Sequence, residues 1–259
     1  MKNIKLTLAY DGTNYHGWQI QPNAITVQSI IEEALRRLFK RTIKVIGQGR
    51  TDTGVHAVGQ VASFKLPDVA LKNMKFPQIK VALNSILPRD IAVMDVEPIS
   101  LDFHPRFDAI ERVYRYVVCN DHNKPVFGQM NFYSYSYKLN LPRMREGAEY
   151  LIGKHDFSSF QCKKTDNENP VRSIKRISIS RNDFNVSNFL KLRRKAVVFE
   201  IAANAFLYNM VRIIVGTLLD VGRGRIEPQN VKEILAGKDR NLARETVPAC
   251  GLCLIAVRY

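Results

Sequence analysis

Cysteine is scarce in this chain of 259 residues: four in all, too few for a disulfide scaffold. Cys250 and Cys253 have C-x-x-C spacing, but no second cysteine pair exists to complete a zinc site. His16, His56, His104, His122 and His155 also lack metal-ligand spacing, so no metal site is expected. No apolar run is long enough to span a bilayer. The chain opens on a strand-like run, Ile4 to Tyr10, rather than on a secretory leader, which predicts no membrane contact and a cytoplasmic location. Low-complexity tracts and heptad arrays are absent. Acidic residues are outnumbered, with 24 Asp+Glu against 39 Lys+Arg and a formal net charge of +15. That imbalance points to a polyanionic partner, nucleic acid first.

The alternation and spacing of apolar residues predict an α+β protein. Strands are expected at Ile4–Tyr10, Thr42–Ile46, Gln60–Leu66 and Ile91–Val96, and then at Arg112–Val118, Ile174–Ser180, Val197–Ala202 and Leu252–Val257. Thr26 is positioned to cap a helix whose apolar face is Val27, Ile30, Ile31, Ala34, Leu35 and Leu38. Further helices are expected at Pro142–Leu151, Phe206–Val221 and Pro228–Leu235. Two halves of similar size meet near Asp102–Asp108, giving domains 1–105 and 106–259. The polar stretch Gln161–Arg172 reads as a long loop, either a ligand contact or a plain surface excursion.

The most informative segment is Gly47-Gln48-Gly49-Arg50-Thr51-Asp52-Thr53-Gly54-Val55-His56. Its glycines free the backbone to present one carboxylate, Asp52, with Arg50 two residues earlier. Taken locally, an Asp among glycines is most often a turn residue or a helix cap. The run is not a dinucleotide or P-loop fingerprint: G-x-G-x-x-G needs glycine where Asp52 stands, no Gly-Lys-Ser/Thr follows, and a carboxylate would repel phosphate. Arg212 adds weight to a chemical role. It lies in the strongly apolar run Phe206 to Val215, where an arginine needs an acid or a phosphate unless it snorkels out at the helix edge. Asp52 is a candidate partner, and the pairing would keep it ionised.

Tyr114 and Tyr116 stand two apart in a strand and therefore share a face. They serve sheet packing, or one of them stacks on a base and moves a proton. Basic stretches at Arg36-Arg37, Lys163-Lys164, Arg172–Arg176, Lys191–Lys195 and Arg223–Arg225 are each an ordinary solvated face, and together would line a groove for a phosphate backbone. Three functions fit these residues: an RNA-modifying isomerase, a non-catalytic basic RNA-binding protein, and a hydrolase with Asp52 as covalent nucleophile. A pure binder has no use for an acid in its groove, and no second acid or base stands out for a hydrolase.

The segment Gly49 to Ala57 resembles the signature loop of the TruA family of transfer-RNA pseudouridine synthases. The run Ala9 to Gln19, Phe103-His104-Pro105-Arg106-Phe107, Tyr114-Arg115-Tyr116, the Phe206–Gly216 helix and Gly251-Leu252 follow in the family's order, so the resemblance spans the chain. It implies Asp52 as nucleophile, Arg50 as a group that displaces the target base and holds RNA, and Tyr114 as the ring stacked on uracil and a proton acceptor. It further implies Arg212 as the partner of the aspartate and Leu252 at the border of the uracil pocket. The implied fold is two related α+β halves, each an antiparallel or mixed sheet with helices on one face and the active cleft between them, in a homodimer. The implied substrate is uridine in the anticodon stem-loop of tRNA (positions 38–40 of the tRNA), converted to pseudouridine without a cofactor. Many members carry alanine after the aspartate where this chain has Thr53, and Asn182–Lys195 is given no role.

Overall fold

The computed structural model describes residues 1–71, 74–121, 126–162, 169–187 and 192–259. Lys163-Lys164, Lys191 and His122 lie outside the described residues, as does half of the Gln161–Arg172 stretch, residues 163–168. In chain order the elements are β1 (Lys2–Tyr10), α1 (Val27–Phe39), β2 (Ile46–Gly47), β3 (His56–Leu66), α2 (Phe76–Ile86), β4 (Ile91–Ile99), β5 (Glu111–Cys119), β6 (Tyr133–Ser134), α3 (Leu141–Glu149), β7 (Gly153–Asp156), β8 (Val171–Ser187), β9 (Leu192–Ala203), α4 (Met210–Arg223), α5 (Asn230–Gly237) and β10 (Leu252–Arg258). This is the α+β class. The chain divides into two compact units: Met1–Ile110 with Cys253–Tyr259, and Glu111–Leu252.

In the first unit β1 is the central strand, antiparallel to β4 on one edge and to β3 on the other. The outer edge of β3 is shared. Its far end pairs with β2 through Ile46↔Ser63 and Gly47↔Ala62, and its beginning pairs in parallel with β10 through Cys253↔His56 and Leu254↔Ala57. Alternation in β1 buries Ile4, Leu6 and Leu8 completely. Helix α1 turns Val27, Ile31, Ala34 and Leu35 into the core; each large side chain so buried contributes roughly 1.5–3 kcal/mol. The helix begins where the sequence indicates. The Thr26 hydroxyl accepts from Ser29 N (3.3 Å), and Thr26 N donates back to Ser29 Oγ (3.2 Å).

Two expectations for this unit need correction. The strand expected over Thr42–Ile46 is reduced to Ile46–Gly47. Val45 satisfies its backbone through α1 instead: its N–H donates to Glu32 Oε1 (3.0 Å) and its carbonyl accepts from Gln28 Nε2 (3.0 Å). Helix α2 is absent from the pattern read off the sequence. It buries only Ile79 and Leu83, and Val81 faces outward at 70% exposure, which blurs the helical period.

In the second unit β9 lies between β5 and β8, antiparallel to both, with β7 beyond β8 and the short β6 parallel to β5. Helix α4 carries most of the helical core, with Met210, Ile213, Ile214, Val215 and Leu218 fully buried, and α3 packs against it. The expected Phe206–Val221 helix starts four residues late, at Met210. Asn209 holds a left-handed φ of 61°, which ends the preceding loop and cannot propagate a helix backwards.

Candidate active site

The Asp52 loop runs from Gln48 to Val55, between β2 and β3. Its two neighbours in the first unit, the end of β1 and the turn Asp11–Trp18, grip it residue by residue. Thr51, buried beside Asp52, shares a hydrogen bond between its hydroxyl and the Tyr10 phenol (2.8 Å), and its carbonyl accepts from Trp18 N (3.1 Å). Gly54 N donates to the Tyr15 carbonyl (3.4 Å), and Val55 N closes the turn on the Asp52 carbonyl (3.1 Å). Behind the loop, Gln48 N donates to Val61 O (2.9 Å), Gln48 Nε2 to Gln60 Oε1 (3.0 Å), and Gln60 Nε2 to Gly49 O (3.2 Å). Both glutamines are buried. The result is a hydrogen-bonded frame with Asp52 half-buried, and with Arg50 and Thr53 exposed on either side of it.

Two glycines make that close docking possible. A Cβ on Gly12 would run into the Val55 carbonyl, and one on Gly17 into the Thr51 carbonyl; Gly17 also has φ of 80°. The turn that bears them is itself fixed. Asp11 N donates to Asp90 O (2.9 Å), Asp11 Oδ1 accepts from Thr13 N (3.0 Å) and Thr13 Oγ1 (2.5 Å), and Tyr15 Oη donates to Asp90 Oδ1 (2.7 Å). Burial works to raise the Asp11 pKa, but the Thr13 hydrogen bonds and the nearby His56 outweigh it and hold the carboxyl below its usual range. Burial, with Asp90 as acceptor, pushes the Tyr15 phenol well above its usual range. His56 Nδ1 lies 3.1 Å from both Gly12 N and Asp11 Oδ1. A bare Nδ1 accepts from the amide, and an Nδ1–H donates to the carboxylate.

In the second unit, Tyr114 and Tyr116 divide their roles. Tyr116 is fully buried and donates to Pro248 O (2.7 Å), and burial drives its pKa far upward, so its hydroxyl is structural. Tyr114 is 8% exposed and meets Phe206 edge to face, with ring centroids 5.2 Å apart at 89°. Arg212 lies in the first turn of α4, the end of a helix where a cation is disfavoured by the backbone dipole. It is half-buried rather than enclosed. Its Nε donates to Val247 O (2.7 Å) and its Nη1 to Asn209 Oδ1 (2.7 Å), which fixes the guanidinium plane. Tyr116 and Arg212 thus hold consecutive carbonyls of the segment leading to Leu252, which is buried at the start of β10. Sequence reasoning did not find Tyr10, Trp18, Gln48, Gln60, Phe206, Asn209 or Val247 as supports. The glycines at 12 and 17 of the opening turn are the signal in the sequence that could have marked a close approach.

Several basic residues are matched by acids. Glu33 takes both Arg36 (2.6 Å) and Arg37 (2.8 Å), whose hydrogen bonds pull its pKa to about 2. Buried Glu111 faces Lys175 (3.4 Å) and Arg176 (3.5 Å). Among the described residues no three His, Cys, Asp or Glu side chains gather as metal ligands would, and no helix is long and apolar enough to cross a membrane.

The family model described as tRNA pseudouridine synthase matches residues 7–108 and 148–259. Among similar proteins, tRNA pseudouridine synthase A of Caldicellulosiruptor saccharolyticus is 42% identical over 259 residues, covering 100% of both chains. That of Clostridium acetobutylicum is 42% identical over 261 residues, again covering 100% of both. That of Exiguobacterium sibiricum is 41% identical over 259 residues, covering 100% of this chain and 97% of its own. With its whole length aligned to such relatives and two long segments of it matched by the family model, the chain belongs to the TruA family of tRNA pseudouridine synthases.

Proposed function

We propose that Asp52 is the nucleophile with which this tRNA-modifying isomerase converts uridine to pseudouridine. Family membership carries the reaction class. The observation that carries the residue is the frame around Asp52, in which Thr51 is fixed by Tyr10 and Trp18 and the turn closes on Val55 N. A backbone held in this way presents its carboxylate from a fixed point, which lowers the reorganisation the reaction requires.

The isomerisation breaks the bond from ribose C1′ to uracil N1 and makes one from C1′ to C5. N1 gains a proton and C5 loses one, so no oxidant or group donor enters. A stacked base hides these atoms, and swinging it out costs a few kcal/mol. Arg50, exposed two residues before Asp52, holds the displaced backbone, and Tyr114 offers a ring to the uracil beside Leu252. Three routes use the same carboxylate: attack at C1′, attack at C6, or removal of a ribose proton on a glycal path. In each, Asp52 must be ionised. We assign that task to Arg212, whose plane is already set by Val247 and Asn209 and whose place at a helix N-terminus calls for negative charge. The proton leaving C5 goes to Tyr114 or to water.

By the same resemblance, the target uridines lie at positions 38–40 of the tRNA anticodon stem-loop, the working form is a homodimer, and the enzyme acts in the cytoplasm. The test is tritium release from tRNA carrying C5-tritiated uridine only in that stem-loop. Stoichiometric release is expected; release only when the label is placed elsewhere in the tRNA, or none at all, would overturn the site assignment.

A further inference from the structure

Outside the two segments matched by the family model, tyrosines recur at every second position: Tyr133, Tyr135 and Tyr137. Their rings form a ladder, with centroids 5.6 Å apart for the first pair and 5.3 Å for the second. Tyr137 at its end is 52% exposed. The guanidinium of Arg223, from the last turn of α4, lies over that ring 3.4 Å from its centroid, and the Tyr135 phenol is beside it as well. The helix dipole favours a cation at this end, but it does not explain a guanidinium seated over a ring. A guanidinium seated on a ring and bonded to the Tyr135 phenol still has N–H groups to give, and a planar guanidinium can take a phosphate through two parallel hydrogen bonds.

Charge around the platform favours an anion. Arg225 and Arg244 both pair with the neighbouring acid, Asp220, at 3.4 and 3.0 Å, so that carboxylate is matched twice. Lys138, next to Tyr137, is exposed. None of these groups has a part in the isomerisation described above.

We propose that Tyr137 and Arg223 form a phosphate-binding platform for the tRNA backbone, a contact to the substrate's charge and not to the reacting base. The proposal rests on tRNA being the substrate. The test is the dissociation constant for unmodified tRNA across a salt series, together with turnover at saturating tRNA. Arg223→Gln is expected to weaken binding about tenfold and to lower the slope of log affinity on log salt by ~0.7–0.9, with kcat retained. Tyr137→Leu, which leaves every charge in place, is expected to weaken binding in the same direction, and Tyr137→Phe to restore it. Lys232→Gln, an exposed cation on α5, serves as the comparison and is expected to change nothing. Melting curves on each variant establish that it is folded. Unchanged affinity and slope in folded Arg223→Gln, or an equal loss in Lys232→Gln, would overturn the platform. An inactive wild-type enzyme would instead overturn the functional reading, so the two failures are distinguishable.

Discussion

Gly12→Ala tests how the fold positions Asp52, the proposed nucleophile. The new methyl would be driven against the Val55 carbonyl, a backbone atom that cannot rotate away. A carbon and a carbonyl oxygen need about 3.3 Å between them, so the loop must retreat by on the order of 1 Å. Val55 N is the donor that closes the turn on Asp52, and Gly12 N also donates to His56, so the retreat is transmitted to the carboxylate. Overpacking of this kind costs about 1–3 kcal/mol of stability, and a misplacement of ~1 Å at a reacting group costs roughly a hundredfold in rate. The assay is single-turnover tritium release at saturating tRNA, with tRNA affinity and thermal melting measured alongside. Trp18 is the sole tryptophan of the chain; its backbone N–H donates to the Thr51 carbonyl and its indole packs against Gly47, where the loop begins, so its emission reports the loop. A large fall in rate with nearly unchanged affinity and a shifted Trp18 spectrum is expected. Wild-type rate and melting would refute the idea that the Asp11–Trp18 turn sets the loop.

Other perturbations follow from the same contacts. Arg212→Lys keeps the charge but loses the fork to Val247 and Asn209; turnover is expected to fall at least about tenfold, and a wild-type kcat would contradict the positioning role. Tyr116→Phe removes the donor to Pro248 O and should lower stability by roughly 1–2 kcal/mol in denaturant titration, with the phenol playing no chemical part. Thr26→Ala removes the cap of α1 and should cost about 1 kcal/mol by the same measurement. Asp11 has a depressed pKa in the fold, so its contribution is complete above the ordinary carboxylate value of about 3.9 and is lost as pH falls through the lower folded value. Melting temperature should therefore drop on acidification in that range, and less steeply in Asp11→Asn.

Much of the scaffold is legible in the sequence because its signals are local. The alternation of Ile4, Leu6 and Leu8 and the Thr26 cap with its i, i+4 apolar face each act over a few residues, and β1 and α1 formed where those signals stand. Helix α2 escaped because only Ile79 and Leu83 are buried, too few to mark a period. The Asp52 loop stands out through its glycines, but what holds it does not. Tyr10 and Thr51 are 41 residues apart, and no short-range pattern encodes that bond. Likewise, the spacing of Tyr114 and Tyr116 placed them on one face without revealing that Tyr116 is tied to the Pro248 carbonyl, because Pro248 is 132 residues away. Register across long separations, rather than local propensity, decides which polar groups become supports.

The account depends most on the charge of one side chain, and Asp52→Asn isolates it, since the amide keeps the size and shape of the carboxylate. Single-turnover tritium release and tRNA affinity should be measured together on this variant. The account predicts release reduced to background with affinity within about twofold of wild type, because the phosphate contacts that set affinity are untouched. Substantial release by Asp52→Asn would contradict it.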